Sequence, residues 1–276
     1  MLSPRDILRK IRTVRNIQQI CRAMKTVSSI KLRKAQEAIT AASPYADALR
    51  EIVSQLSCGG ECAHPLLLTH SPAKYYGIVA ISSDKGMAGS YNANLIRTAA
   101  SHIHEKESVV VFPIGRKVTD TFRRTNVNID TSISPLGNPS HSAVSALADH
   151  IGDLYVSGKL DHVDLIYTRF GSGINTIQLL PIIPPEDNDG TSSYIFEPSP
   201  EVIIESILPR YLRTVLFTAI LSSVAAEHAA RVASMSLATE NADELIDRLT
   251  MEYNKSRQSG ITSDLTDIVG AAEALR

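Results

Sequence analysis

The sequence predicts an α/β fold: a long antiparallel coiled coil of the N- and C-terminal helices with an α/β domain inserted between them. Three observations predict it. Residues 210–276 contain no proline and only Gly260 and Gly270 among glycines, so one helical pattern runs for 67 residues. At ~1.5 Å rise per residue that helix is about 100 Å long, whereas a compact globule of this chain length is roughly 50 Å across. A second helical pattern occupies the N-terminus. Between the two, the period changes to short apolar runs alternating with helical stretches, the signature of a largely parallel sheet.

The first helix spans about residues 3–56. Ser3 and Pro4 supply a cap and a first-turn proline, and Asp6 suits the positive end of the helix dipole. Its apolar positions are Ile7, Ile11, Val14, Ile17, Cys21, Met24 and Val27, one stripe at three-to-four spacing. Pro44 either bends or divides it, because a proline inside a helix removes a hydrogen bond.

The middle of the chain supplies strands at Gly77–Ile81, Val109–Phe112 and Val163–Tyr167, with helices near 89–106, 115–124 and 141–157. A further strand, Ile174–Ile183, is linked to the third by a hairpin through Gly171, Ser172 and Gly173. Ser199, Pro200 and Glu201 then start the last helix as cap, first-turn proline and first-turn acid. Pro209 is expected to kink it. The resulting division is 1–60 for the N-terminal helix, 70–198 for the α/β domain and 200–276 for the C-terminal helix.

Beyond Pro209, Leu212, Leu216, Ala219, Ser223, Ala226, Ala230, Ala233 and Leu237 alternate by four and three, a coiled-coil seam whose small middle residues admit a close partner. The frame breaks near Glu240 and resumes through Ala242, Leu245 or Ile246, Leu249 and Tyr253. Residues 1–34 carry ten Lys or Arg against one acid, and residues 240–276 carry eight acids against four bases. That opposition predicts antiparallel pairing of the two ends, with the last ~20 residues unpaired by helical rise.

Composition narrows the function classes. With 43% hydrophobic and 21% charged residues in 276, the chain can bury a sizeable core, and its net charge of −1 gives no general attraction for nucleic acid or anionic lipid. No uninterrupted apolar run approaches the roughly 20 residues of a membrane span, and the basic start has neither an apolar signal core nor a cleavage site. Cys21, Cys58 and Cys62 do not form a disulfide framework, and Cys58 to Cys62 with His64 lacks a zinc spacing. The eight histidines show no ligand pattern, and no nucleophile motif is present. Neither a metal nor a cofactor is expected.

The loop Ser82-Ser83-Asp84-Lys85-Gly86-Met87-Ala88-Gly89 follows a strand and opens a helix, where phosphates bind in other folds. It matches neither the Walker pattern nor the dinucleotide fingerprint, so it is read as a tight turn. A nucleotide-binding α/β enzyme with a coiled-coil appendage is the alternative that it motivates. A basic nucleic-acid adaptor, suggested by residues 5–34, lacks the interleaved aromatics that such a surface uses.

Four stretches cover the chain in order: RDILRKIRTVRNIQQICRAMKTVSSIKLRKAQEA (5–38), SSDKGMAGSYNANL (82–95), FEPSPEVIIESILPRYL (196–212), and AAEHAARVASMSLATENADELIDRLTMEYNKSRQSGITSDLTDIVGAAEAL (225–275). They resemble the gamma subunit of F-type ATP synthases. The resemblance implies a central-stalk rotor whose terminal helices form a shaft and whose inserted domain is Rossmann-like. Its partners would be three alpha and three beta subunits, the epsilon subunit and the membrane c-ring. The subunit would do no chemistry itself and would bind no nucleic acid. It would couple proton or sodium flow to ATP synthesis or hydrolysis by rotation. The expected location is the cytoplasmic face of a bacterial cell membrane, peripheral to it through the c-ring.

By matching position, the resemblance places rotor–stator contacts at Met24 and Lys25, at Asp84, Lys85, Gly86 and Ala88, and at Arg257, Gln258, Thr262 and Asp264. The chain departs from the family pattern in three places. Asp264 stands where glutamate is usual, Ala271 where a second glycine is usual, and Ala88 where cysteine or another small residue often sits. Asp264 shortens that hydrogen-bonding arm by one methylene. The cysteine-bearing insert of chloroplast relatives is not present, so no redox role passes to Cys58 and Cys62.

Overall fold

The computed structural model describes residues 3–58, 64–70, 72–133, 140–183, 197 and 199–274. Cys62, and the side chains of Cys58 and Asp264, lie outside that description. The elements in order are α1 (Pro4–Cys58), a 3-10 turn (Pro65–Leu67), β1 (Tyr75–Ile81), α2 (Tyr91–His104), β2 (Ser108–Ile114), α3 (Arg116–Arg124), α4 (His141–Val156), β3 (His162–Arg169), β4 (Gly173–Leu180) and α5 (Pro200–Ala274). Contacts divide the chain into two compact units, Met1–Ser28 with Arg231–Arg276, and Ser29–Ala230.

Each predicted strand and helix is present. The sheet order is β2-β1-β3-β4, with β1 parallel to both β2 and β3 and with β4 antiparallel to β3. β4 stops at Leu180 rather than continuing to Ile183, because Pro181 has no N–H for the ladder. Neither long helix is divided: α1 continues through Pro44 and α5 through Pro209. Around Pro209, the buried side chains of Ile204, Leu208 and Leu212 outweigh the missing hydrogen bond by packing into the core. The reciprocal cap at the start of α1 is also formed, Ser3 Oγ donating to Asp6 at 2.7 Å while Asp6 N–H donates back at 3.3 Å.

Alternation along the strands separates two cores. Ile78, Ala80, Val111 and Ile166 pack with Leu95 and Ala99 of α2 and with Val118 and Phe122 of α3. On the other face, Val79, Ile81, Phe112, Val163 and Leu165 join α4, the Ile204–Ala225 part of α5, and Ala35, Val53 and Leu56 of α1. By length and composition one stretch of α5 is apolar enough to cross a bilayer, contrary to the expectation from its lack of an uninterrupted apolar run. More than half of that stretch is buried in protein, as in a core helix. Arg213 adds a two-pronged ion pair to Asp149 of α4, at 2.6 and 2.9 Å.

In this unit the predicted seam of α5 is buried from Leu212 to Ala226, and besides sharing a core with Ala35 of α1 its middle meets a neighbour that the seam did not predict. Tyr91 Oη donates to the Ser223 carbonyl at 3.2 Å, and Thr168 N–H donates to Ser223 Oγ at 3.3 Å. Ala226 packs on Ala88 and Tyr91. Ser223 and Ala226 therefore receive α2 and the end of β3, which the heptad pattern alone does not reveal.

The terminal unit is an antiparallel helix pair. Ile7 and Ile11 cluster with Leu249, flanked by Val14, Ile246 and Tyr253, and Lys25 Nζ donates to Ser236 Oγ at 2.8 Å. Two sequence assignments are corrected here. Ala233 is exposed and Leu237 is 61% exposed; within this unit the buried positions of α5 are Arg231, Met235, Ala242 and Leu249. The frame has thus already changed before Glu240. On α1 the buried line is Ile7, Ile11, Gln18, Cys21 and Ser28, while Ile17 and Val27 are 51% and 54% exposed. Following apolar residues alone leads off the seam, because polar Gln18 and Ser28 occupy it.

Candidate functional site

The residues proposed for contact fall into three places. The first is the loop between β1 and α2. Its Ser82 and Ser83 are fully buried at the carboxyl end of β1, and Ala88 is buried against Tyr91 and Ala226. Lys85 is exposed, and Asp84 and Gly86 are half-buried. Met87 (φ +61°) and Gly89 (φ +57°) turn the chain through the left-handed region, and Met87 is 63% exposed at the crest.

Side chains hold this turn from three sides. Asn92 Oδ1 accepts from Ser83 N–H at 3.1 Å and lies 2.8 Å from Ser83 Oγ. Ser83 Oγ is 2.6 Å from the Lys85 carbonyl. Asp84 Oδ1 accepts from Arg116 N–H at 3.0 Å, the Ser83 carbonyl from Lys117 N–H at 3.0 Å, and Ser82 Oγ from Val118 N–H at 2.9 Å. The first amides of α3 are thus occupied by the chain's own oxygens, one of them a carboxylate at the positive end of the helix. A glycine is required at the junction: Gly115 has φ +96°, and a Cβ there would lie 2.1 Å from the Ser82 carbonyl oxygen.

The second place is α1 in the terminal unit, where Met24 is half-buried and Lys25 is exposed with its amine on Ser236. Exposed Ile17, Ile20 and Val27 share the helix face of Met24, next to the buried seam. Within the seam, Gln18 Nε2 donates to Asp243, whose other oxygen is 3.5 Å from Arg22.

The third place is the end of α5. From Arg257 onward every described side chain is exposed, Gln258 and Thr262 included. The Arg257 guanidinium lies 5.9 Å from the Tyr253 ring, and Thr262 Oγ1 donates to the Gln258 carbonyl at 2.9 Å. Ile261, Leu265, Ile268 and Val269 are between 52% and 65% exposed.

Asp84, Lys85, Gly86 and Ala88 thus lie together on one loop, Met24 and Lys25 on one helical turn, and Arg257, Gln258 and Thr262 within two turns of α5. Among the described residues no group of three His, Cys, Asp or Glu side chains is placed to hold a metal ion. Sequence reasoning missed Asn92, Gly115 and Gln18. The only available signals were a glycine directly after a strand and a glutamine within an apolar stripe.

The ATP synthase family profile matches residues 3–275. The chain is 42% identical to an ATP synthase gamma chain of Moorella thermoacetica and 44% identical to one of Desulfitobacterium hafniense, in both cases over the whole of each chain. Among solved structures, the fold is similar to a chain of the rotor of Euglena gracilis mitochondrial ATP synthase. That match has TM-score 0.70 at 16% identity, covering 94% of this chain and 98% of the other. A chain from the central stalk and c-ring of Tetrahymena thermophila mitochondrial ATP synthase gives TM-score 0.61 at 20% identity, covering 79% and 99%. With its full-length relatives, its two long terminal helices and its mixed sheet, the chain belongs to the gamma-chain family of F-type ATP synthases, the central-stalk rotor subunit.

Proposed function

We propose that this rotor subunit is non-catalytic and works by contact. Residues 1–60 and 200–276 form a shaft that turns within three alpha and three beta subunits. Residues 70–198 dock on the epsilon subunit and the c-ring, at the cytoplasmic face of a bacterial membrane. The observation that carries the reading is apolar surface left bare on both terminal helices: Ile17, Ile20 and Val27 on α1, and Ile261, Leu265, Ile268 and Val269 on α5. Apolar groups so arranged are covered by partners in working assemblies. By helical spacing, exposed Arg9 and Arg12 share that side of α1, which suits a partner surface that is apolar with acidic margins.

The α/β unit supports a role without chemistry. Asp84 and its neighbouring serines occupy the α3 amides where a phosphate would otherwise bind. A shaft with different side chains around its circumference touches each surrounding catalytic subunit differently. Each orientation therefore favours a different site conformation, and turning it shifts their populations in sequence.

Replacing Arg257 and Gln258 together with alanine tests the contact role in the assembled complex. ATP-driven ion pumping per ATP hydrolysed should fall while the isolated subunit keeps its unfolding curve. Wild-type pumping would refute the role. Calorimetry of the isolated subunit with millimolar ATP should give no saturable heat, and saturable binding would overturn the non-catalytic reading.

A further inference from the structure

We infer that Asn92 is the positioning residue of the loop that presents Lys85, setting the loop's shape so that it transmits load. The inference rests on the proposed contact at Asp84–Ala88.

Asn92 stands in the first turn of α2, half-buried, and its side chain turns back onto the preceding loop rather than out to solvent. Its Oδ1 meets both polar groups of Ser83: the N–H at 3.1 Å and the hydroxyl at 2.8 Å. That hydroxyl is also 2.6 Å from the Lys85 carbonyl, so its single proton is shared between two acceptors. One amide oxygen therefore fixes Ser83, and Ser83 fixes the backbone at Lys85.

The loop needs this restraint. Met87 sits at φ +61°, where a residue with a Cβ stays only when its surroundings hold it. Asp84 Oδ1 on Arg116 N–H anchors one flank, and Ala88 packed on Tyr91 and Ala226 anchors the other. Tyr91, beside Asn92, is bonded to the Ser223 carbonyl of α5. Asn92 thus joins the loop to a helical turn that is itself fastened to the long helix. Without it, the Ser83 hydroxyl still reaches the Lys85 carbonyl, but Ser83 loses its tie to the first turn of α2. Force on Lys85 would then deform the loop before reaching the helix.

The test uses the assembled complex in membrane vesicles and reads ion pumping per ATP hydrolysed, with ATP as the only fuel. Asn92→Ala should lower the ratio. Asn92→Asp, which keeps an acceptor in place, should restore most of it. Lys85→Ala should lower the ratio as well. A normal ratio in Asn92→Ala alongside a lowered one in Lys85→Ala overturns the inference alone. Equal losses in Asn92→Ala and Asn92→Asp also overturn it, because packing rather than the acceptor would then be responsible. A normal ratio in Lys85→Ala overturns the contact reading and this inference with it. Should Asn92→Ala not assemble, Ser83→Ala removes the link to the Lys85 carbonyl and is judged by the same outcomes.

Discussion

Gly115→Ala should be among the most damaging single methyl additions in the α/β unit. The added Cβ would lie 2.1 Å from the Ser82 carbonyl oxygen and 2.8 Å from its carbon, both backbone atoms of a fully buried residue. Relief requires about 1 Å of movement at the end of β1 or the start of α3, since real carbon–oxygen contacts lie near 3.2 Å or more. Ser82 N–H donates to the Ile114 carbonyl at 2.8 Å and Ser82 Oγ accepts from Val118 N–H at 2.9 Å, so that movement stretches both bonds. One lost buried hydrogen bond costs about 1–3 kcal/mol, and a non-glycine residue at φ +96° costs roughly 1–3 kcal/mol more. The expected loss is about 2–6 kcal/mol, a large share of the 5–15 kcal/mol that holds an ordinary domain. Urea unfolding of the purified subunit, followed by far-UV circular dichroism, measures it. Gly158→Ala is the control: φ is +71° but nothing lies within 4 Å of the new Cβ, so only the backbone term of about 1–2 kcal/mol applies. Equal losses in the two variants would refute the close-contact argument.

Two further outcomes follow from packing and charge. Ala226→Leu should cost about 1–3 kcal/mol by overpacking against Ala88 and Tyr91, and should disturb the Tyr91 to Ser223 bond; an unchanged melting temperature contradicts that packing. Burial opposes ionisation of Asp164, but hydrogen bonds from His162 and Lys106, together with their charges, outweigh it and hold the carboxyl below its ordinary range. A depressed folded pKa stabilises the fold above the ordinary carboxylate range, and that stabilisation disappears as pH falls through the depressed value. As pH falls below about 5, through and beneath the ordinary carboxylate value near 4, Asp164→Asn should therefore show a shallower loss of unfolding free energy than the wild type. Parallel curves would show that Asp164 is not a source of the acid sensitivity.

The α/β unit was legible because each of its elements is fixed by local pattern. Strands such as Gly77–Ile81 alternate toward two cores, and glycines mark the hairpin after β3. The Ser3 cap sets the start of α1 for the same reason, since a cap acts within one turn, and α5 begins where the Ser199 carbonyl accepts from Ile203 N–H. The seams were less legible because burial in a coiled coil is decided by the facing helix. Gln18 is buried because Asp243 is opposite to receive its amide, a fact 225 positions away in sequence. The small residues Ser223 and Ala226 likewise announced a close neighbour without saying which one. The loop at 82–89 was readable as a tight turn, but its brace was not. Asn92 carries no pattern, and its role emerges only once its side-chain oxygen and the Lys85 carbonyl are seen on either side of the Ser83 hydroxyl.

The misplaced stripe on α1 itself bears on how the subunit works. A helix built only to pair would bring Ile17, Ile20 and Val27 into its seam and turn Gln18 and Ser28 to water. The chain does the reverse, with Gln18 and Ser28 at 7% and 4% exposure and all three apolar residues more than half exposed. Each exposed aliphatic forgoes about 1.5–3 kcal/mol of possible burial, and the Gln18–Asp243 bond returns only about 1–3 kcal/mol, as a hydrogen bond to a charged group. The pairing is therefore weaker than the composition of α1 allows. That deficit is consistent with selection on the outward face. A partner that covers the face only in passing, as the proposed surrounding ring would, requires apolar groups that the shaft does not itself consume. Gln18 serves the complementary need: a buried amide on a carboxylate disfavours other registers, so the helix pair can be weak without being ambiguous.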